Sequence, residues 1–321
     1  MAKQAARLPK KKKTEFRFQK LKMCKKCQRY SVIKEESCPV CGSTYMGVES
    51  LARSILKNRV FSETMFILIF VCAGIIFSPT LTMRYYSLIA SLVFAICYLV
   101  LMLIFIKSEY YTQLKQLFFH DLKRIKAGIQ SDSNRAKTDV SEGQVAAGYD
   151  KLREICDLID NDQLKNCSVK ALNEIALRKD MELEIEQLIP SSYDKDFVKY
   201  ALEVQKINRM LVTKKVISYF SVYRDGVVRD FGIDSLITVL DSALRMKLYI
   251  HEFSEFIQEY IDYFPKERIL RLCRIVNAHP EEDWGSLADT MTRMVAVKFH
   301  YDPDFMPYIY SGTSNMKTYE N

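Results

Sequence analysis

The sequence predicts a mainly α protein in three parts: an N-terminal zinc-binding β module, a two-helix transmembrane hairpin, and a C-terminal all-α cytoplasmic domain that is a bundle or an irregular solenoid. Three observations predict it. Two C-x-x-C pairs stand ten residues apart near the N-terminus, two charge-free runs of twenty and twenty-two residues follow, and nearly everything after Ile106 repeats apolar residues at helical spacing. The boundaries read from this pattern are a basic arm over 1–22, the metal module and a linker over 23–58, the hairpin over 59–106 with spans 62–83 and 85–106, a juxtamembrane helix and linker over 107–140, the helical domain over 141–300 and a tail over 301–321.

The nine cysteines are Cys24, Cys27, Cys38, Cys41, Cys72, Cys97, Cys156, Cys167 and Cys273. Their odd number, with two inside apolar stretches, is unlike an extracellular disulfide framework and points to a reducing compartment. Cys24-Lys25-Lys26-Cys27 and Cys38-Pro39-Val40-Cys41-Gly42 bring four thiolates within tetrahedral reach of one Zn²⁺. A closed Cys₄ set leaves no position for water or substrate, so the ion is structural. Gly42 allows the left-handed turn through which backbone N–H groups point at the sulfurs. The run Cys27-Gln28-Arg29-Tyr30-Ser31-Val32 with Ser37-Cys38-Pro39-Val40-Cys41-Gly42 resembles the zinc-ribbon family, and most of all the ribbon of the small archaeal zinc subunit of H/ACA ribonucleoproteins. The resemblance covers residues 22–46 and implies a short β zinc ribbon with four metal ligands. Gln28 stands where ribbons of this type usually carry glycine. RNA binding does not follow, because ribbons of this shape serve many unrelated proteins.

Charge is unevenly spread. Residues 1–58 carry a balance of +11 and the remaining 263 a balance of −3. Lys10, Lys11, Lys12, Lys13, Arg17, Lys20 and Lys22, interleaved with Phe16 and Phe18, are candidates for contact with anionic lipid or nucleic acid. Lipid is the preferred reading for an arm tethered beside a membrane.

Thr64–Met83 and Tyr85–Ile106 each reach about 30 Å or slightly more as helix, the thickness of a bilayer's hydrocarbon core. The first holds ten Leu, Ile, Val or Phe residues and the second thirteen, which favours insertion by several kcal/mol per helix. Ser78-Pro79-Thr80 and Arg84 between them force a tight antiparallel hairpin. Lys57 and Arg59 precede the first span and Lys107, Lys115, Lys123, Arg124 and Lys126 follow the second, so the positive-inside rule puts both termini in the cytoplasm of a multi-pass cell-membrane protein. Glu63 reads as an interfacial residue, and the spans as lacking a paired small-residue motif.

Beyond Ile106, Tyr110, Leu114, Leu117, Leu122, Ile125 and Ile129 extend the second span as a stalk, and polar Gln130–Ser141 reads as a linker. Val145 to Ile159 begins the helical domain. Val169 to Leu188 supplies its next two helices, and Asp194 caps one with Phe197, Ala201 and Val204 inward. Asp225-Gly226 fits a small hairpin or a plain turn, and a long helical pattern runs from Leu236 to Phe264.

No set of acid, base and nucleophile stands out, and the expected protein is not an enzyme. His251 and Glu255 lack the second histidine of a metalloprotease helix, and Asp230-Phe231-Gly232 lacks the glycine-rich loop of a kinase. The expectation is a membrane-anchored adaptor, with the bilayer and a cytoplasmic protein as partners. The alternatives are a membrane-disrupting effector or small channel acting through the hairpin, and a membrane-tethered nucleic-acid binder.

Overall fold

The computed structural model describes residues 3–11, 14–77 and 80–308. Lys12, Lys13, the Ser78-Pro79 break and the tail beyond 308 lie outside the described residues. The chain forms two compact units, Lys11–Asp160 and Met1–Lys10 together with Asn161–Asn321.

The unit Lys11–Asp160 opens on a three-stranded antiparallel sheet of β1 (Lys22–Cys24), β2 (Tyr30–Ser31) and β3 (Tyr45–Gly47), in the order β2-β1-β3. Met23 is opposite Tyr30 on one side and Met46 on the other. β3 runs straight into α1 (Val48–Ile76), whose first N–H, that of Val48, donates to the Leu21 carbonyl at 3.1 Å. Helix α2 (Leu81–His120) begins at Thr80, whose Oγ1 accepts the Met83 N–H at 3.3 Å. With 29 and 40 residues, both helices are long and apolar enough to cross a membrane.

Half-buried side chains on these helices recur every three to four residues. They are Ile67, Val71 and Ile75 on α1, and Ser87, Ser91, Ala95, Tyr98 and Met102 on α2. The remaining circumference, including Phe66, Phe70, Leu92, Phe94 and Leu103, is exposed. Ser87, Ser91 and Ala95 form a small-residue stripe spelled with serine, and a side chain on Gly74 would begin 3.2 Å from Ser87 Oγ. The expected lack of a paired small-residue motif is therefore corrected, since such residues let helix backbones approach closely.

Helix α2 does not continue as the expected stalk to Ile129. It stops at Asp121 (φ −96°, ψ 11°), and α3 (Leu122–Ser141) starts there. Gln130–Ser141 is not a linker but the second half of α3, with Asp132, Ser133 and Ala136 buried. It reads as polar because the groups it buries are hydrogen-bonding ones. Helix α4 (Val145–Cys156) packs along α3 so closely that a Cβ on Gly148 would fall 2.5 Å from Val140 Cγ2. This packing places 145–156 in the ribbon's unit, whereas the sequence pattern starts the helical domain at 141.

The second unit is built from α5 (Asp162–Glu174), α6 (Lys195–Ile207), α7 (Lys214–Val222), α8 (Arg224–Phe231), α9 (Ile233–Leu240), α10 (Lys247–Glu252), α11 (Ser254–Tyr260), α12 (Lys266–Ala278) and α13 (Ser286–Lys298). Asp194 caps α6, its Oδ1 accepting the Phe197 N–H at 2.8 Å. Phe197, Tyr200, Val204, Phe220, Leu236 and Leu240 are buried in its core, as are Ile257, Leu272, Leu287 and Phe305.

Three expectations fail here. Leu183, Ile185 and Leu188 are buried on irregular chain with one short turn, not on a helix. The start of that stretch is held by the N-terminal segment, as Gln4 N–H donates to the Glu174 carbonyl at 2.8 Å and Ala176 N–H to the Gln4 carbonyl at 2.9 Å. Asp225-Gly226 lies inside α8 and forms no hairpin. The pattern from Leu236 to Phe264 is cut into α9, α10 and α11: Arg245 bonds to the carbonyls of Ser242 (3.0 Å), Arg209 (2.6 Å) and Val212 (2.8 Å) at the corner between α9 and α10, and the chain breaks again at Phe253 (φ −107°, ψ 23°).

Candidate metal centre

The two C-x-x-C segments fold as matching knuckles. In the first, Cys24 N–H donates to the Arg29 carbonyl and Gln28 N–H to the Cys24 carbonyl. In the second, Cys38 N–H donates to the Ser43 carbonyl and Gly42 N–H to the Cys38 carbonyl, all at 2.8–3.0 Å. Each knuckle turns through a left-handed residue, Gln28 at φ 57° and Gly42 at φ 68°. Glutamine thus adopts the backbone that ribbons of this type usually reserve for glycine. Arg124 Nη1 donates to its side-chain oxygen at 3.0 Å.

The four sulfurs lie within 4.8 Å of one another, with Cys24–Cys41 at 3.3 Å and Cys27–Cys38 at 3.6 Å. Those separations are far beyond a disulfide and close to the ~3.8 Å expected between sulfurs of a tetrahedron with metal–sulfur bonds of about 2.3 Å. Burial opposes ionisation of Cys24, but the N–H groups of Cys27 and Lys26 and the adjacent sulfurs outweigh it and bring the thiol down to about 6. Cys38 is lowered in the same sense: burial opposes, and the N–H groups of Val40 and Cys41 prevail. At Cys27 an Arg29 N–H favours the thiolate, yet burial and the sulfurs of Cys24, Cys38 and Cys41 push it up to about 12. Thiols this close ionise together only around a cation, so the donor set fits a tetrahedral metal ion.

The ribbon's remaining polar groups turn toward α3 and α4. Asp132 Oδ2 accepts both Ser31 Oγ–H (2.7 Å) and Val32 N–H (2.9 Å), and Asp121 Oδ2 accepts the Tyr30 hydroxyl at 2.7 Å. All of these side chains are buried. Gly128 permits the approach, since a Cβ there would fall 2.2 Å from the Tyr30 carbonyl oxygen. Arg135 grips Glu35 with both Nη atoms, at 3.0 and 2.6 Å.

The seven basic candidates separate. Lys20, with its side chain only 8% exposed, pairs with Glu154 (2.6 Å) and Asp157. Lys11 pairs with Asp157 at 2.5 Å. Lys22 donates to the Glu35 carbonyl and lies over the Tyr45 ring at 4.4 Å. Lys10 and Arg17 are exposed, and Lys12 and Lys13 are outside the described residues. Burial alone would raise Glu154 and Asp157, but Lys20 with Lys34 or Lys11 holds both carboxyls below their ordinary range. Their contribution to stability is therefore complete above about pH 5 and is lost as pH falls through the lowered values.

The acids of this network were missed in the sequence. Their signal was present, since residues 139–162 hold seven acids against two bases. His251, weighed above as a metal ligand, stacks on Trp284 at 4.3 Å, and Asp230 accepts the Tyr193 hydroxyl at 3.0 Å.

Purified protein is expected to contain one thiolate-bound divalent metal ion per chain. Cys24→Ser with Cys41→Ser should remove it, and elemental analysis showing full occupancy in that variant would put the ion elsewhere. Lys20→Met should destabilise the unit by about 1–3 kcal/mol, because it removes the buried cation shared by Glu154 and Asp157 and leaves each carboxylate a single lysine, Lys34 or Lys11. Arg17→Met should change stability by less than about 0.5 kcal/mol. Hydrogen exchange at β1 measures both, and equal protection in the two variants would contradict the buried pairing. Comparison of the chain with protein-family models, curated proteins and solved structures gives no match.

Proposed function

We propose that this protein is a multi-pass cell-membrane adaptor, not an enzyme. Its two apolar helices span the bilayer, a structural Zn²⁺ held by Cys24, Cys27, Cys38 and Cys41 fixes the ribbon, and the helical unit binds a cytoplasmic protein. The observation that carries this reading is the inward use of the ribbon's Tyr30 and Ser31 and of Lys20 just before it. Tyr30, Ser31 and Lys20 are taken up by Asp121, Asp132, Glu154 and Asp157 rather than offered to a ligand. A ribbon bonded this way ties the chain before α1 to the chain after α2, which is the work of an anchor. The tie also supports the topology. Residues on either side of the hairpin that touch at 2.7 Å share one face of the membrane, and the basic flanks assign that face to the cytoplasm.

In intact cells, a cysteine introduced beside Thr80 should react with a membrane-impermeant thiol reagent, and one near Asn315 should not. Labelling near Asn315 would overturn the orientation. The decisive test of function exchanges residues 64–106 for an unrelated two-span hairpin of the same orientation. An adaptor keeps its cellular activity after the exchange. Loss of activity in a correctly inserted, metal-loaded chimaera would transfer the function to the hairpin itself and establish the effector reading.

A further inference from the structure

The corner that cuts the long pattern between α9 and α10 gathers four arginines, two of them paired with one acid. The Asp241 carboxylate, buried at the end of α9, lies 2.7 Å from Arg268 Nε through Oδ1 and is bound by Arg209 Nη2 through Oδ2. Arg245 runs beneath them, with its N–H groups committed to the carbonyls of Ser242, Arg209 and Val212. Arg271 Nη2 reaches the Arg245 carbonyl at 3.5 Å from the exposed face of α12. One carboxylate for four guanidiniums leaves a local surplus of three positive charges. The crowding is felt at Arg209, which burial and then Arg268, Arg245 and Arg271 hold below its ordinary value.

The surface beside this cluster is apolar and adaptable. Met210 is 75% exposed and its sulfur lies 3.3 Å from Arg245 Nη1, Met246 follows Arg245 at 49%, and Leu248 is 65% exposed. Guanidinium forks match carboxylates bidentately, arginine is enriched at interface hot spots, and methionine fits varied apolar partners. Single-stranded nucleic acid would instead call for aromatic rings on which bases stack, and the exposed apolar side chains here are methionine and leucine.

We propose that Arg209, Arg268 and Arg271, positioned by Arg245 and flanked by Met210 and Met246, form the surface by which the helical unit takes its protein partner, and that the partner presents an acidic segment with interspersed apolar side chains. An incoming carboxylate is received between Arg268 and Arg271, while Asp241 holds Arg209 and Arg268 in place beforehand. This assignment rests on the adaptor reading and names the partner's chemistry.

The test uses full-length protein in phosphatidylcholine nanodiscs and a fluorescein-labelled peptide alternating glutamate with leucine, with empty nanodiscs as the blank. Binding that weakens steeply with salt is expected. Arg271→Glu, and Arg268→Glu with Arg271→Glu, should each lower affinity by about tenfold or more, and Arg271→Lys should retain part of it. Circular dichroism and metal content should be unchanged in Arg271→Glu, which alters an exposed residue. Equal affinity for wild type and Arg271→Glu, preference for a matched lysine–leucine peptide, or tighter binding of a single-stranded oligonucleotide would each overturn the proposal. The hairpin exchange separates this failure from that of the adaptor reading. If the exchanged chain stays active and Arg268→Glu with Arg271→Glu leaves its cellular activity intact, the adaptor stands and this surface falls.

Discussion

Asp132 is the point on which the ribbon's placement turns. It is one carboxylate, 2% exposed, accepting from the Ser31 hydroxyl at the end of β2 and from the backbone N–H of Val32 just after it. A ribbon of about 25 residues cannot bury enough apolar surface to stabilise itself, and such modules need a metal, a neighbour or both. Here the four cysteines converge at the two knuckles in an arrangement that fits a metal ion, and α3 supplies the neighbour. An unpaired carboxylate at that depth would be costly, so the helix and the ribbon are specified together. The Tyr30–Asp121 and Lys20–Glu154 contacts extend the same logic to either side.

The hairpin and the metal set were legible because their signals are local. Twenty charge-free residues and a C-x-x-C spacing need no knowledge of the rest of the chain. Linker 130–141 was misread for the opposite reason. Asp132 and Ser133 look solvent-facing until the ribbon covers them, and nothing local marks Gly128 as the point where the Tyr30 backbone packs. The inward pairing of Lys20 was hidden in the same way, since Lys20 looks available until Glu154 and Asp157, more than 130 residues later, are placed beside it. In the helical unit, Asp194 was readable as a cap from its position alone. The division of Leu236–Phe264 was not, because it depends on where Arg245 finds its carbonyl partners.

The apolar pair of helices shows how one sequence pattern satisfies two surroundings. Its outward circumference is mostly Leu, Ile, Val and Phe, and its contact stripe on α2 includes Ser87, Ser91 and Ala95. At the end nearest the ribbon the stripe becomes ionic. Arg59 Nε meets Glu63 at 3.0 Å, its Nη1 meets Glu109, and the Tyr98 hydroxyl reaches Glu63 at 3.3 Å. Glu63 therefore has partners on its own helix and across the pair, and the pair's register is fixed by charge where small residues give way to larger ones.

The spacing of these contacts along the chain has a consequence for biosynthesis. The knuckles leave the ribosome first, but Asp121, Asp132 and Glu154, which receive Tyr30, Ser31 and Lys20, follow 91, 101 and 134 residues later, beyond both apolar helices. The ribbon cannot complete its contacts until both apolar helices and then α3 and α4 have been synthesised. Docking of the ribbon is thus a late, long-range step: the four cysteines meet within eighteen residues of chain, whereas Tyr30, Ser31 and Lys20 have no acceptor until residues more than ninety positions further on are in place.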